Sequence, residues 1–279
     1  MNKPNLLCLD FDGTIMRYED PPEHFHPDIV AALNHLQTRG VEWIANSGRS
    51  FEGQWAIIRH CLEERGLRHA PRAIISNESY IFVREGDGYI PLEPWNEEAS
   101  RSARSVHAEL QQTHKEALDA LVNRHAPDGV YFSEDGTVFQ MTGPEEARAV
   151  FIDELQHMLH AMPSAELINN GEWIVVIHTR LGKGNVLKAY LAWRKMAADT
   201  VLAVGDHGND LSMLDGSVTP HVACPGDAFP AVRDAVRRAG GYVAEAHGPH
   251  GTLEAFHHFF NHDTTWPDIN TEEFQQSRT

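Results

Sequence analysis

Four short stretches of this chain carry residues able to do chemistry. In Asp10-Phe11-Asp12-Gly13-Thr14, two carboxylates stand two residues apart. At the end of a strand, one can attack as a nucleophile while the other transfers a proton. Gly13 lets the backbone turn sharply close to an anion. In Ser47-Gly48-Arg49 a hydroxyl and backbone N–H groups suit the oxygens of a phosphoryl group. Gly205-Asp206-His207-Gly208-Asn209-Asp210 gathers carboxylates with other oxygen donors, a hard set that favours Mg²⁺. Lys183, in Gly182-Lys183-Gly184 ahead of a helix, can balance this negative charge and hold a phosphate. Singly, each stretch has a plainer reading. Asp-Gly-Thr is a common turn, and Asp135-Gly136-Thr137 repeats it. Ser47-Gly48-Arg49 can cap a helix, Lys183 can be a solvated lysine, and Asp206–Asp210 an acidic turn. The four together, in this order, are what argue for a site.

Such residues need elements to hold them. Asn5–Leu9 is a short apolar run that ends at Asp10 and reads as a buried strand. Pro27–Arg39 carries Ile29, Val30, Leu33 and Leu36 at helical spacing, and Gly40 follows as a C-cap. Val41–Ala45 reads as strand, Phe51–Arg65 as helix closed by Gly66, and Ala73–Ser76 as strand. This β-α-β-α-β order predicts a parallel, doubly wound sheet. Tyr80–Val83 and Tyr89–Leu92 flank a Gly-rich turn and read as a hairpin. Glu97–Asn123 reads as one long helix, Val130–Phe132 and Val138–Met141 as a second hairpin, and Pro144–His160 as a helix. Glu166–Asn169 and Trp173–His178 read as another strand pair. From Asn185 the α/β rhythm returns, with helices at Asn185–Met196, Leu211–Leu214, Ala228–Ala239 and Thr252–Phe260. Strands at Thr200–Val204, His221–Ala223 and Tyr242–Val243 alternate with them. The expected division is a discontinuous core of residues 1–88 and 180–262, an inserted α+β domain over 89–179, and a polar tail over 263–279.

Composition narrows the function classes. Of 279 residues, 42% are hydrophobic and 23% charged, with a net charge of −17. No Lys/Arg cluster offers the basic face that nucleic acid needs. Three cysteines without a C-x-x-C pair argue against a disulfide framework and fit a reducing cytoplasm. The N-terminus lacks the pattern of a signal peptide, and no apolar run approaches the ~20 residues that span a bilayer. Eighteen scattered histidines lack partners at metal-ligand spacing and read as mostly surface residues.

The motifs together resemble a known family. Leu7–Thr14 (LCLDFDGT), Ile44–Arg49 (IANSGR), Lys183 in GKGNVLK and Val204–Asp210 (VGDHGND) resemble, in order, the four motifs of the haloacid dehalogenase superfamily of phosphohydrolases. The large insert between the second and third resembles the Cof-like, type IIB branch with its α/β cap. That branch includes sucrose-phosphate, trehalose-phosphate and mannosylglycerate-phosphate phosphatases. The resemblance implies a Rossmann-like core and Mg²⁺-dependent hydrolysis of a small phosphorylated metabolite, a sugar phosphate being the first candidate. By the same resemblance Asp10 attacks phosphorus and Asp12 is the acid and base. Mg²⁺ is held by the Asp10 carboxylate, the Asp12 carbonyl and Asp206, with Asp210 in support. Gly13, Ser47, Gly48, Lys183 and Asn209 then meet the phosphoryl group. A cap that closes over the site and a monomer or small homo-oligomer are also implied. A phosphomutase, and a binding or regulatory protein on this fold, remain alternatives. Among cap aromatics, Trp95, Tyr131, Phe139 and Trp173 are expected mostly to form the cap's own core. The chain departs from the family pattern at Ser47, where Thr is common, and at Glu78, where Gly usually follows the Asn. It departs again at Cys224-Pro225-Gly226-Asp227, where an Asn-Ala pair often stands.

Overall fold

The computed structural model describes residues 3–17, 23–133 and 137–260. The expected tail over 263–279 and the centre of the turn between Val130–Phe132 and Val138–Met141 lie outside them. The chain divides between Glu93 and Pro94, and again between Gly182 and Lys183, into two compact units.

The first unit opens with β1 (Leu6–Leu9), α1 (Pro27–Thr38), β2 (Glu42–Asn46), α2 (Phe51–Glu64), β3 (Ala73–Ser76), β4 (Tyr80–Glu85) and β5 (Gly88–Pro91). β1 is buried at every position, as a strand covered on both faces must be. β5 pairs antiparallel with β4, which pairs antiparallel with β3. The main sheet therefore keeps residues that the sequence reading placed in the insert. Ladder bonds outweigh the change in sequence rhythm at Tyr89, whose ring also packs on the core.

The second unit comprises α3 (Trp95–Thr113), α4 (Lys115–His125), β6 (Val130–Phe132), β7 (Val138–Met141), α5 (Glu145–Leu159), β8 (Ala165–Asn170) and β9 (Trp173–His178). Its antiparallel sheet runs β6-β7-β9-β8. The expected single helix over Glu97–Asn123 breaks at His114, whose N–H bonds back to the Leu110 carbonyl. Neither Gly nor Pro marks the break. Val106 and Leu110 before it, and Leu118, Leu121 and Val122 after it, reach one core together with Phe139 and Phe151. Of the four cap aromatics only Phe139 is fully buried. Tyr131 and Trp173 are exposed, which corrects the expectation of a mostly internal role. Register explains this, because Tyr131 pairs with Gln140 and Gln140 with Trp173, so the three share one sheet face. Phe139 points to the other.

The first unit resumes with α6 (Lys183–Arg194), β10 (Val201–Val204), α7 (Leu211–Leu214), β11 (His221–Cys224), α8 (Pro230–Arg238), β12 (Tyr242–Val243) and α9 (Gly248–Phe260). The eight-stranded sheet runs β12-β11-β10-β1-β2-β3-β4-β5, parallel from β12 through β3. α6 and α9 start earlier than their apolar periodicity, because Gly182-Lys183-Gly184 and Gly248-Pro249-His250-Gly251 read as loops. Lys183 and Gly184 open α6, and Gly248–Gly251 fill the first turn of α9, where Pro249 costs no hydrogen bond. The Cys224-Pro225-Gly226-Asp227 stretch gains a physical account. Asp227 Oδ1 accepts from the Gly248 N–H at the start of α9 (2.8 Å). A Cβ on Gly226 would meet the Glu245 carbonyl oxygen at 2.7 Å. Among the described residues, no helix is long and apolar enough to cross a membrane.

Candidate active site

Strand register sets the site. Leu9 pairs with Val204 on one side and Ala45 on the other, so β1, β2 and β10 end at one level. Strand order reverses at β1, and such a switch point opens a crevice at the carboxyl ends. Asp10, Ser47 and Asp206 follow these three ends. Phe11, wholly buried, packs edge-on against Phe25 at 5.0 Å between centroids and anchors the loop between Asp10 and Asp12.

Lys183 is the hub. Its side chain is 0% exposed, and Nζ lies 2.7 Å from Asp10 Oδ1 and 2.6 Å from Asp210 Oδ1. Gly184 makes the approach of α6 possible, since a Cβ there would sit 2.1 Å from the Ser212 carbonyl oxygen. Burial works against the charged ammonium. Asp10, Asp210 and Glu78 outweigh burial and hold Lys183 charged above the ordinary lysine value. Burial pushes the Asp10 carboxyl well above the usual carboxylate range. Lys183 pulls against that, and Asp210 and Asp206 add to it.

The acidic loop is built from within. Asp210 Oδ2 accepts the N–H groups of Asp206 and His207, both at 2.9 Å. Asp206 accepts from Thr14 Oγ1 at 3.0 Å and pairs with His207 Nδ1 at 2.5 Å. Gly13, at φ +73°, leaves room that a Cβ would take from Asp206 Oδ2, 2.2 Å away. Asp10, Asp206 and Asp210 bring carboxylate oxygens within 4.8 Å of one another, all buried. Three buried carboxyl groups share one ammonium and the His207 ring, and a cation among them would favour their ionised forms. The donors are all oxygen, which fits Mg²⁺. Asp210, with both oxygens turned to Lys183 and the loop backbone, acts by shaping the loop. His26, Asp28 and His250 also bring ligand atoms within 4.8 Å, which the sequence spacing did not reveal. There Arg17 Nη2 lies 3.4 Å from His250 Nδ1 and opposes a second cation. His250, His125 and His221 are buried, against the expectation of surface histidines.

Asp12 has a partner that sequence reasoning missed. Arg49 grips both its oxygens, Nε to Oδ2 at 2.6 Å and Nη2 to Oδ1 at 2.7 Å, and holds Glu23 with Nη1 and Nη2. Arg followed by no charge pattern gave no signal, because the fork joins two loops 37 residues apart. Ser47 is buried, and its Oγ accepts the Arg49 N–H at 3.3 Å. Asn209 Nδ2 donates to Glu78 Oε1 at 2.8 Å, beside Gly48, which binds this side of the site to the turn after β3. Asp10, Lys183, Asp206 and Asp210 thus form one cluster, Ser47, Gly48 and Asn209 meet around Glu78, and the Asp12 side chain is committed to Arg49.

A parallel core with an inserted α+β unit is the architecture of the capped phosphatases of the haloacid dehalogenase superfamily. Within that class, residues 3–260 match the family model of sucrose-6F-phosphate phosphohydrolase, and the chain belongs to that family. Its fold is similar to the sucrose-phosphatase of Synechocystis sp. PCC6803, solved with sucrose and phosphate. The TM-score is 0.65 at 21% identity, covering 93% of this chain and 98% of the other. A HAD subclass IIB sugar phosphatase aligns with a TM-score of 0.57 at 19% identity, over 91% and 98% of the two chains. A glucosylglycerol-phosphate synthase of Pseudomonas anguilliseptica is 40% identical over 80 residues, which span 28% of this chain but only 10% of that protein.

Proposed function

We propose that the chain hydrolyses a sugar phosphate through a phosphoryl group carried on Asp10, with Mg²⁺ as cofactor. The observation that carries this reading is the buried Lys183 ammonium between Asp10 and Asp210, with Asp206 beside them. An Asp10 oxygen forms a bond to phosphorus while the bond to the sugar oxygen breaks. Asp12, as the acid, gives its proton to that leaving oxygen. A water then attacks phosphorus and loses its proton to the Asp12 carboxylate, and the bond to Asp10 breaks to release phosphate. Asp12 must leave the Arg49 fork to do this, and Glu23 gives the guanidinium a carboxylate to remain on. Lys183 sets its charge against the phosphoryl oxygens, and Ser47 offers a hydroxyl to one of them. Asn209, with the Gly13 and Gly48 backbones, lines the same group. The Asp10 and Asp206 carboxylates and the Asp12 carbonyl would hold Mg²⁺, which when bound supplies positive charge to the transferring group.

The test is phosphate release by the purified chain, with Mg²⁺ or EDTA. The panel holds sucrose 6F-phosphate, glucosylglycerol phosphate, other sugar phosphates and nucleotides. Mg²⁺-dependent release that Asp10→Asn lowers by at least about a thousandfold supports the reading. Asp10→Asn retaining more than a few per cent of turnover overturns the nucleophile. Interconversion of sugar phosphates without free phosphate would indicate a mutase.

A further inference from the structure

Glu78 is the departure from the family pattern that the mechanism above does not use. It follows Asn77 in the turn between β3 and β4, where Ser79 N–H closes onto the Ser76 carbonyl at 3.0 Å. Asn77 has φ +48° and Glu78 has φ +56°. Asn visits this left-handed region readily and Gly adopts it without cost, but Glu does neither. A strained residue persists where its surroundings over-determine it, and such residues cluster at functional sites.

The surroundings here are the two loops that face the proposed phosphoryl group. On the backbone side, Asn77 N–H bonds the Arg49 carbonyl at 3.1 Å and Glu78 N–H the Ser47 carbonyl at 3.4 Å. On the side-chain side, Glu78 is 6% exposed and its carboxyl accepts from Asn209 Nδ2. It also explains Gly48, because a Cβ there would lie 3.1 Å from Glu78 Oε1. One turn residue thus bonds both to the Ser47-Gly48-Arg49 loop and to Asn209.

We infer that Glu78 is a positioning residue, a brace that holds Asn209 and the Ser47–Gly48 segment at the spacing a phosphoryl group requires. The inference rests on the phosphatase reading. A further observation bears on how the brace works. Glu78 Oε2 and Asn209 Oδ1 are both buried and have no hydrogen-bond partner among the described residues. Buried acceptors of this kind cost free energy until a donor meets them, and a glutamine at position 78 would carry both an acceptor and a donor. Burial raises the Glu78 carboxyl above its ordinary range, with Lys183 opposing and Asp210 adding to the effect.

The 279-residue chain with Mg²⁺ provides the test, with inorganic phosphate titrated by calorimetry and KM and kcat taken on the best substrate of the panel. Glu78→Gly relaxes the turn but removes the brace. Phosphate affinity and KM should weaken by about tenfold, kcat should change less than about threefold, and the melting midpoint should hold or rise. Glu78→Gln should restore phosphate affinity to within about threefold of the parent. A Glu78→Gly chain with parental affinity overturns the inference, as does a Glu78→Gln chain no better than Glu78→Gly. If the parent chain itself binds no phosphate, the phosphatase reading falls first and the brace falls with it.

Discussion

Replacing Lys183 with Met tests the charge balance on which the site depends. Met keeps an unbranched, flexible side chain of comparable length and removes only the ammonium. That ammonium is 0% exposed and lies within 2.7 Å of two carboxylates that are themselves buried. Removing one partner of a buried pair costs about 3–5 kcal/mol, and with two carboxylates stranded the loss should reach the upper end. The pH dependence fixes the cause. Asp10 and Asp206 already have folded-state values above the usual carboxylate range. Such groups favour folding below the unfolded value, near about 4, and that contribution is lost as pH rises through the folded value. Without Lys183 the opposing pull on Asp10 is gone and its folded value rises further. The deficit should therefore be about 5 kcal/mol at pH 7.5 and shrink by at least about 2 kcal/mol at pH 5. Urea unfolding followed by circular dichroism, in EDTA at both pH values, measures it. A deficit below about 1 kcal/mol at pH 7.5, or one that is equal at both pH values, would refute the reasoning.

Three further outcomes follow from the same geometry. Arg49→Ala frees Asp12 from a fork whose two side chains are 27% and 20% exposed, so stability should fall by less than about 1 kcal/mol. Misplacing the acid should lower kcat roughly tenfold or more, and Arg49→Lys should not rescue it, because an ammonium cannot grip both oxygens; unchanged steady-state kinetics would count against a positioning role for the Arg49 fork. Mg²⁺ at about 100 times its dissociation constant should stabilise the parent by about 2.7 kcal/mol in thermal melts, and EDTA should remove the gain; the Asp206→Asn chain should show less of it. In the second unit, Phe139→Ala should cost about 3–5 kcal/mol, whereas Trp173→Ala, at a position 48% exposed, should cost under about 1 kcal/mol. Comparable losses in urea unfolding would contradict the cap core.

Physical period decides what a sequence discloses of such a protein. Leu6–Leu9 and Val201–Val204 announce themselves as buried parallel strands because both faces are covered, so apolar residues run without alternation. Once strand ends are known, Asp10, Ser47 and Asp206 must fall at one edge of the sheet, and Lys183 at a helix start is close enough to join them. The helix break at His114 left no such trace, since neither Gly nor Pro stands there, Gln111, Gln112, Lys115 and Glu116 around it are good helix formers, and the reason for the bend lies in a core that the two helices share with Phe139. The exposed ring of Trp173 was hidden for the same reason, because only register with Gln140 and Tyr131 tells which face of β9 is outside.

The contacts that were hardest to read are those that join loop to loop. Arg49 to Asp12 and Glu78 to Asn209 each link side chains from different strand ends, 37 and 131 residues apart in sequence. No periodicity encodes a pairing of this kind, because neither partner repeats and neither faces a continuous core. What the sequence did offer at Glu78 was an anomaly, a bulky acid where a turn wants Gly. At φ +56° that choice costs about 1–2 kcal/mol that a glycine would save. Chains keep such a residue when the side chain does more than the backbone loses. Here it closes a buried hydrogen bond to the loop carrying Asp206 and Asp210, and it does so from the turn to which the Ser47 loop is bonded. The mismatch between local preference and local structure therefore marks the point where the loops carrying Ser47 and Asn209 are held together.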